Sequence, residues 1–131
     1  MKKKLEEHNL ICAASFNVLG RMKDILKAND YSTSHEEIAR ACGLKRQSVD
    51  KWERNNVSIK SIYIDNFCHC LGISLPAFYG EQIPKSMITH VDYELRKRLT
   101  SMSEENKVLI IKIIDGMDYI RSDSYRKRIS F

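Results

Sequence analysis

Lys45, Arg46 and Gln47 stand in a row just after a glycine, and Lys51 and Arg54 follow at helical spacing. These long side chains donate hydrogen bonds. A helix that opens with such donors, braced by a second helix packed across it, fits the DNA major groove, where base edges present acceptors. Arginine can pair bidentately with guanine and glutamine with adenine, each worth about 1–3 kcal/mol of discrimination. From Lys45 to Arg54 the chain carries four basic and two acidic residues. The chemistry implied is hydrogen bonding to base edges and phosphates, without bond making or breaking.

Two short helices are needed to position these groups, and residues 34–55 supply them. Ser34 is an N-cap residue with Glu37 three positions on, the spacing of a capping box. Glu36 and Glu37 also lie where the positive end of that helix favours them. Ile38, Ala39 and Cys42 give it an apolar edge, and Ala39 is small enough to permit close approach. Gly43 can take positive φ and end it. Leu44 then turns inward, and Val49 and Trp52 recur at helical spacing on a core-facing edge. Trp52, the sole tryptophan, is expected to pack rather than to stack on a base. Lys45, Arg46, Gln47, Asp50, Lys51 and Arg54 are left outside.

With these residues placed, the chain resembles the lambda-repressor-like (Cro, or XRE) helix-turn-helix family from about Phe16 to Tyr79. The likeness rests on Ser34-His35-Glu36-Glu37-Ile38-Ala39, then Gly43, then Ser48-Val49-x-x-Trp52-Glu53, and the exit Leu71-Gly72-Ile73-Ser74-Leu75-x-x-Phe78-Tyr79. The resemblance implies a five-helix DNA-binding domain. It implies base contacts from Lys45, Arg46, Gln47 and Lys51, and phosphate contacts from His35, Ser48, Arg54, Asn55, Asn56 and Lys60. Glu53 resembles a position where an acid pairs internally, with Arg21 or Arg40 as possible mates.

The remaining sequence reads as all-α. Helices are expected from Ser15 to about Ala28, and from Ser58 to Gly72 with Ile62, Ile64, Phe67, Cys68 and Leu71 on one side. A short one, Leu75 to Tyr79, follows Ser74. The DNA-binding domain would thus occupy residues 1–80. Residues 81–91 read as a linker, with Gly80 and Pro84 resisting helix. Residues 92–131 read as a C-terminal oligomerisation segment, with one helix from Asp92 to about Met102 and a longer one capped by Ser103. The second carries Leu109, Ile110, Ile113, Ile114, Met117 and Ile120, an apolar surface too wide for one neighbour to cover. It closes its own core or, the reading we favour, covers a second copy of the chain. A homodimer would place two reading helices about 34 Å apart on a palindromic operator.

Composition agrees. A net charge of +5 over 131 residues is mildly basic, and the excess is spread over both halves. No run approaches the roughly 20 apolar residues of a membrane span. Glu6, Glu7, His8 and Asn9 interrupt any signal-like apolar stretch after the basic start, so a cytoplasmic location with reduced cysteines is expected. Cys68-His69-Cys70 lacks metal spacing, because neighbours two apart on a helix point about 200° apart. No cofactor or metal is expected. No phosphate loop or activated nucleophile is recognisable, so an enzyme is not expected. The expected function is a dimeric transcriptional repressor of phage or mobile-element type. The alternative is an antitoxin-like module whose C-terminal helices hold a protein toxin.

Overall fold

The computed structural model describes the backbone of residues 16–55 and 57–129, and side chains as far as Met117. Among the described residues the chain is wholly helical. In order the helices are α1 (Val18–Ala28), α2 (His35–Cys42), α3 (Arg46–Asn55), α4 (Ser61–Leu71), α5 (Leu75–Phe78), α6 (His90–Thr100) and α7 (Glu104–Ile129). No described helix is long and apolar enough to cross a membrane. The chain divides into two units after Ser101.

The first unit is built round a core of Met22, Ile25 and Leu26 from α1, Ile38, Ala39, Ala41 and Cys42 from α2, Val49 from α3, and Ile64, Phe67 and Leu71 from α4. Phe78 of α5 and Tyr93 of α6 complete it. The helix ends follow the local chemistry. Asn17 caps α1, its Oδ1 accepting from Gly20 N at 2.9 Å. Ser34 caps α2 and Ser74 caps α5, each accepting the amide three residues on.

Gly43 ends α2 with φ 80°. Its N–H donates to Arg40 O at 3.3 Å and the Leu44 N–H donates to Ala39 O at 2.8 Å, the paired bonds of a Schellman motif. Asn66 of α4 donates to Cys42 O at 2.8 Å and seals the same helix end. A Cβ at Gly43 would sit 3.2 Å from Thr100 Cγ2 and 3.3 Å from Thr100 O. Gly43→Ala is therefore expected to lower unfolding stability by about 1–2 kcal/mol for the left-handed conformation alone, and by more through crowding. Urea titration measures it, and an unchanged midpoint would contradict this account of the turn.

Residues 81–89 are not a free linker. Arg21 donates from Nε to Phe78 O at 2.7 Å and from Nη2 to Gly80 O at 2.6 Å and Gln82 O at 2.8 Å. Asn29 donates to Pro84 O and accepts from Ser86 N, and the Ser86 hydroxyl donates to Leu71 O. These bonds tie the segment to α1 and α4. Helix α6 then packs on α2 and α4, so the first unit ends at Ser101 and not near residue 80. Ile62, expected inside, is 54 % exposed, because the buried side of α4 is set by Ile64, Phe67, Cys68 and Leu71. Similarly, α6 buries Tyr93 and Lys97 while Leu95 faces outward.

The second unit is α7, a helix of 26 residues opening on Glu104 and Glu105. Ser103 accepts from Asn106 N at 3.3 Å at its start.

Candidate nucleic-acid interface

Helix α3 is anchored by one buried residue and one half-buried one. Val49 is fully buried, and Trp52 packs beside the core with its ring 6.1 Å from that of Tyr63. At about 100° per residue, Gln47, Lys51 and Arg54 fall within one narrow sector opposite Val49, and all three are exposed. Arg46 and Lys45 are exposed at the start of the helix. Ser48 is half-buried, Asn55 is exposed at the far end, and Lys60 is exposed just before α4. Asn56 lies outside the described residues.

The two acids of α3 do not oppose this basic face. Asp50 accepts from His35 Nδ1 at 2.5 Å, and Glu53 pairs with Lys23 Nζ of α1 at 2.9 Å. His35 Nε2 also lies 3.8 Å from Glu53. Both carboxyls are held below the usual carboxylate range, Asp50 chiefly by the His35 hydrogen bond and Glu53 chiefly by that from Lys23. Both are therefore anionic at neutral pH and spoken for within the fold. The partner of Glu53 is thus Lys23. Arg21 serves the carbonyls after α5 instead, and Arg40 pairs with Glu36 along α2. Among the described residues, no carboxylate lies within ion-pair distance of Lys45 or Lys51. Arg46 reaches Asp50 only at 3.9 Å and is 66 % exposed at its side chain.

His35 is held between carboxylates and is half-buried, in a shallow pocket shared with Asp50, Glu53 and Arg54. Its imidazole braces α2 against α3 in this arrangement rather than presenting a bare donor to solvent.

Helix α2, which lies behind α3, is fixed from its other side. The Tyr93 hydroxyl donates to Glu37 Oε1 at 2.7 Å, and Lys97 Nζ donates to the same oxygen at 2.6 Å and to Glu94 Oε1 at 3.0 Å. The Lys97 ammonium also stands 4.9 Å from the Tyr93 ring centroid, a cation–π contact. Only one half of the expected capping box therefore forms. Ser34 accepts from Glu37 N, but the Glu37 carboxylate turns to α6. This network was not readable from periodicity, since Tyr93 and Lys97 lie 56 and 60 residues from Glu37 and a lysine is rarely an inward residue.

Cys42, Cys68 and Cys70 are buried free thiols, and burial pushes the Cys68 thiol up to about 11. Among the described residues no cluster of histidine, cysteine and carboxylate side chains is arranged to hold a metal.

On α7, Leu109, Ile113, Ile114 and Met117 are all at least half exposed, and Ile110 is partly covered. Ile120 lies outside the residues whose side chains are described.

The site stands on this geometry alone, since no family model, curated protein or solved structure matches the chain.

Proposed function

We propose that the protein is a sequence-specific DNA-binding transcriptional regulator, a dimeric repressor acting in the cytoplasm on a palindromic operator. In this reading α2 and α3 form the helix-turn-helix of a lambda-repressor-like domain, and α3 enters the major groove. The observation that carries it is the unopposed basic face of α3. Gln47, Lys51 and Arg54 project together opposite the buried Val49, with Lys45 and Arg46 at the leading end. Both intervening acids are engaged from behind, Asp50 by His35 and Glu53 by Lys23.

Arg46, Gln47, Lys45 and Lys51 would read base edges, the first two bidentately. Ser48, Arg54, Asn55, Asn56 and Lys60 would hold phosphates and set the register, contacts that carry no sequence information themselves. His35 supports the reading helix through Asp50, and the amides at the start of α2 are the group there suited to a phosphate. Helix α7 would supply the second copy through Leu109, Ile110, Ile113, Ile114, Met117 and Ile120.

Arg46→Ala is expected to weaken binding to the preferred site by about 10–100-fold, the equivalent of one lost bidentate base contact of about 1–3 kcal/mol. Binding to random duplex should change by only a few-fold. Fluorescence anisotropy on both duplexes measures the pair. An equal loss on both would make Arg46 a phosphate contact, and no loss on either would remove it from the interface.

A further inference from the structure

The geometry points to a specific partner for α7, namely the α7 of a second copy lying antiparallel to it, with the two-fold axis near Ile114. The inference rests on the proposed dimeric reading of operator DNA and specifies how the two copies meet.

Three observations carry it. The first is the place of the apolar stripe. Ile110, Ile113, Ile114 and Met117 recur at three and four residue spacing and lie mid-helix between Glu104 and Ile129. Ile113, Ile114 and Met117 are 57, 50 and 64 % exposed. A centrally placed stripe on one helix is self-complementary under a perpendicular two-fold, which is the isologous contact of a closed dimer.

The second is charge polarity along the helix. Residues 104–107 hold two acids and one base, a net of −1, whereas residues 121–129 hold four bases and one acid, a net of +3. With the axis at Ile114, antiparallel pairing sets residues 104–107 of each helix opposite 121–124 of the other, so that Glu104 lies within about one turn of the basic run that begins at Arg126. Parallel pairing would bring the basic run 126–128 of both copies together. The helix dipoles favour the antiparallel arrangement as well.

The third is spacing. Each DNA-reading unit joins α7 at its N-terminal end through Met102 and Ser103. Ten residues separate Glu104 from Ile114, so at about 1.5 Å per residue the two N-terminal ends lie roughly 30 Å apart along an antiparallel pair. Half-sites one duplex turn apart need about 34 Å. A parallel pair would hold both ends within about 10 Å, the usual distance between packed helices.

The test uses the full chain with Asn106→Cys in a Cys12→Ser background, leaving Cys42, Cys68 and Cys70 buried. Asn106 is exposed and shares the face of Ile110, Ile113 and Met117. Sedimentation first establishes the oligomeric state, and nitroxide labels on the thiol introduced at position 106 then report the distance between copies. A dimer with labels separated by about 24 Å, eight residues on either side of Ile114 at the helical rise, supports the proposal. A dimer whose labels lie within about 10–15 Å, close to the spacing of packed helices, and which forms an intermolecular disulfide when unlabelled, is a parallel pair. That result overturns the inference and leaves the dimeric reading intact. A monomer at micromolar concentration, alone and on DNA, overturns both and leaves α7 to a different protein.

Discussion

Lys97→Met should destabilise the first unit by about 3–5 kcal/mol, the usual consequence of removing one member of a buried ion pair. The lysine side chain is 4 % exposed and meets two carboxylates, Glu37 at 2.6 Å and Glu94 at 3.0 Å. Methionine fills much of the same volume, so the loss reports charge and hydrogen bonding rather than a cavity. Among the described residues, it leaves the Glu37 carboxylate, 17 % exposed, with the Tyr93 hydroxyl as its one side-chain donor. A domain of this size has about 5–15 kcal/mol in all, so the melting temperature should fall by more than about 10 °C. Lys97→Met combined with Glu37→Gln should recover part of the loss, because the second change removes the stranded charge. Chemical denaturation of the two single variants and the double gives the coupling energy. A loss below about 1 kcal/mol for Lys97→Met, the size of an exposed pair, would mean that the network does not hold α6 against α2. Since α2 stands behind α3, the DNA binding proposed for α3 should fail with the fold at temperatures near the new midpoint.

The second large effect belongs to α7. Ile113→Glu with Met117→Glu places two carboxylates on the exposed apolar stripe and should give a monomer. Two linked half-site contacts exceed either alone by about 10²–10⁴-fold through effective concentration. The monomeric variant should lose about that factor on a palindromic site. Binding to a single half-site and the unfolding midpoint of residues up to Ser101 should both stay close to those of the parent. Analytical ultracentrifugation with anisotropy on full and half sites separates these outcomes. A variant that remains dimeric, or a monomer that keeps full operator affinity, would contradict the role assigned to this helix.

How much of this was legible in the sequence follows the range of the interactions. The turn at Gly43 was readable because its cause is local, a left-handed residue between two helical periods. The same holds for the caps at Ser34 and Ser74. The inward register of Val49 and the outward one of Gln47, Lys51 and Arg54 follow from helical period alone. The segment after residue 80 reads as a linker in sequence yet is pinned in the fold, since proline and glycine signals describe backbone tendency and not tertiary bonds. Arg21 and Asn29 pin that segment from 55 to 61 residues upstream, and only packing reveals it. Helix α6 lies near its expected bounds and buries Tyr93, but Lys97 points inward to carboxylates that no pattern marks. Likewise the sequence leaves Glu53 with a choice of arginines, and the fold pairs it with Lys23, two residues after Arg21 on α1 and so on a different side of that helix.

The measurement that bears most directly on DNA reading by α3 is selection of bound duplexes from a random pool by the purified full chain, repeated at two salt concentrations. The expected result is enrichment of an inverted repeat with half-sites one helical turn apart. Affinity should fall steeply with salt as counterions are released at each phosphate contact. Recovery of the pool without an enriched sequence at either salt would contradict sequence-specific binding, and would reduce the basic face of α3 to a solvated surface.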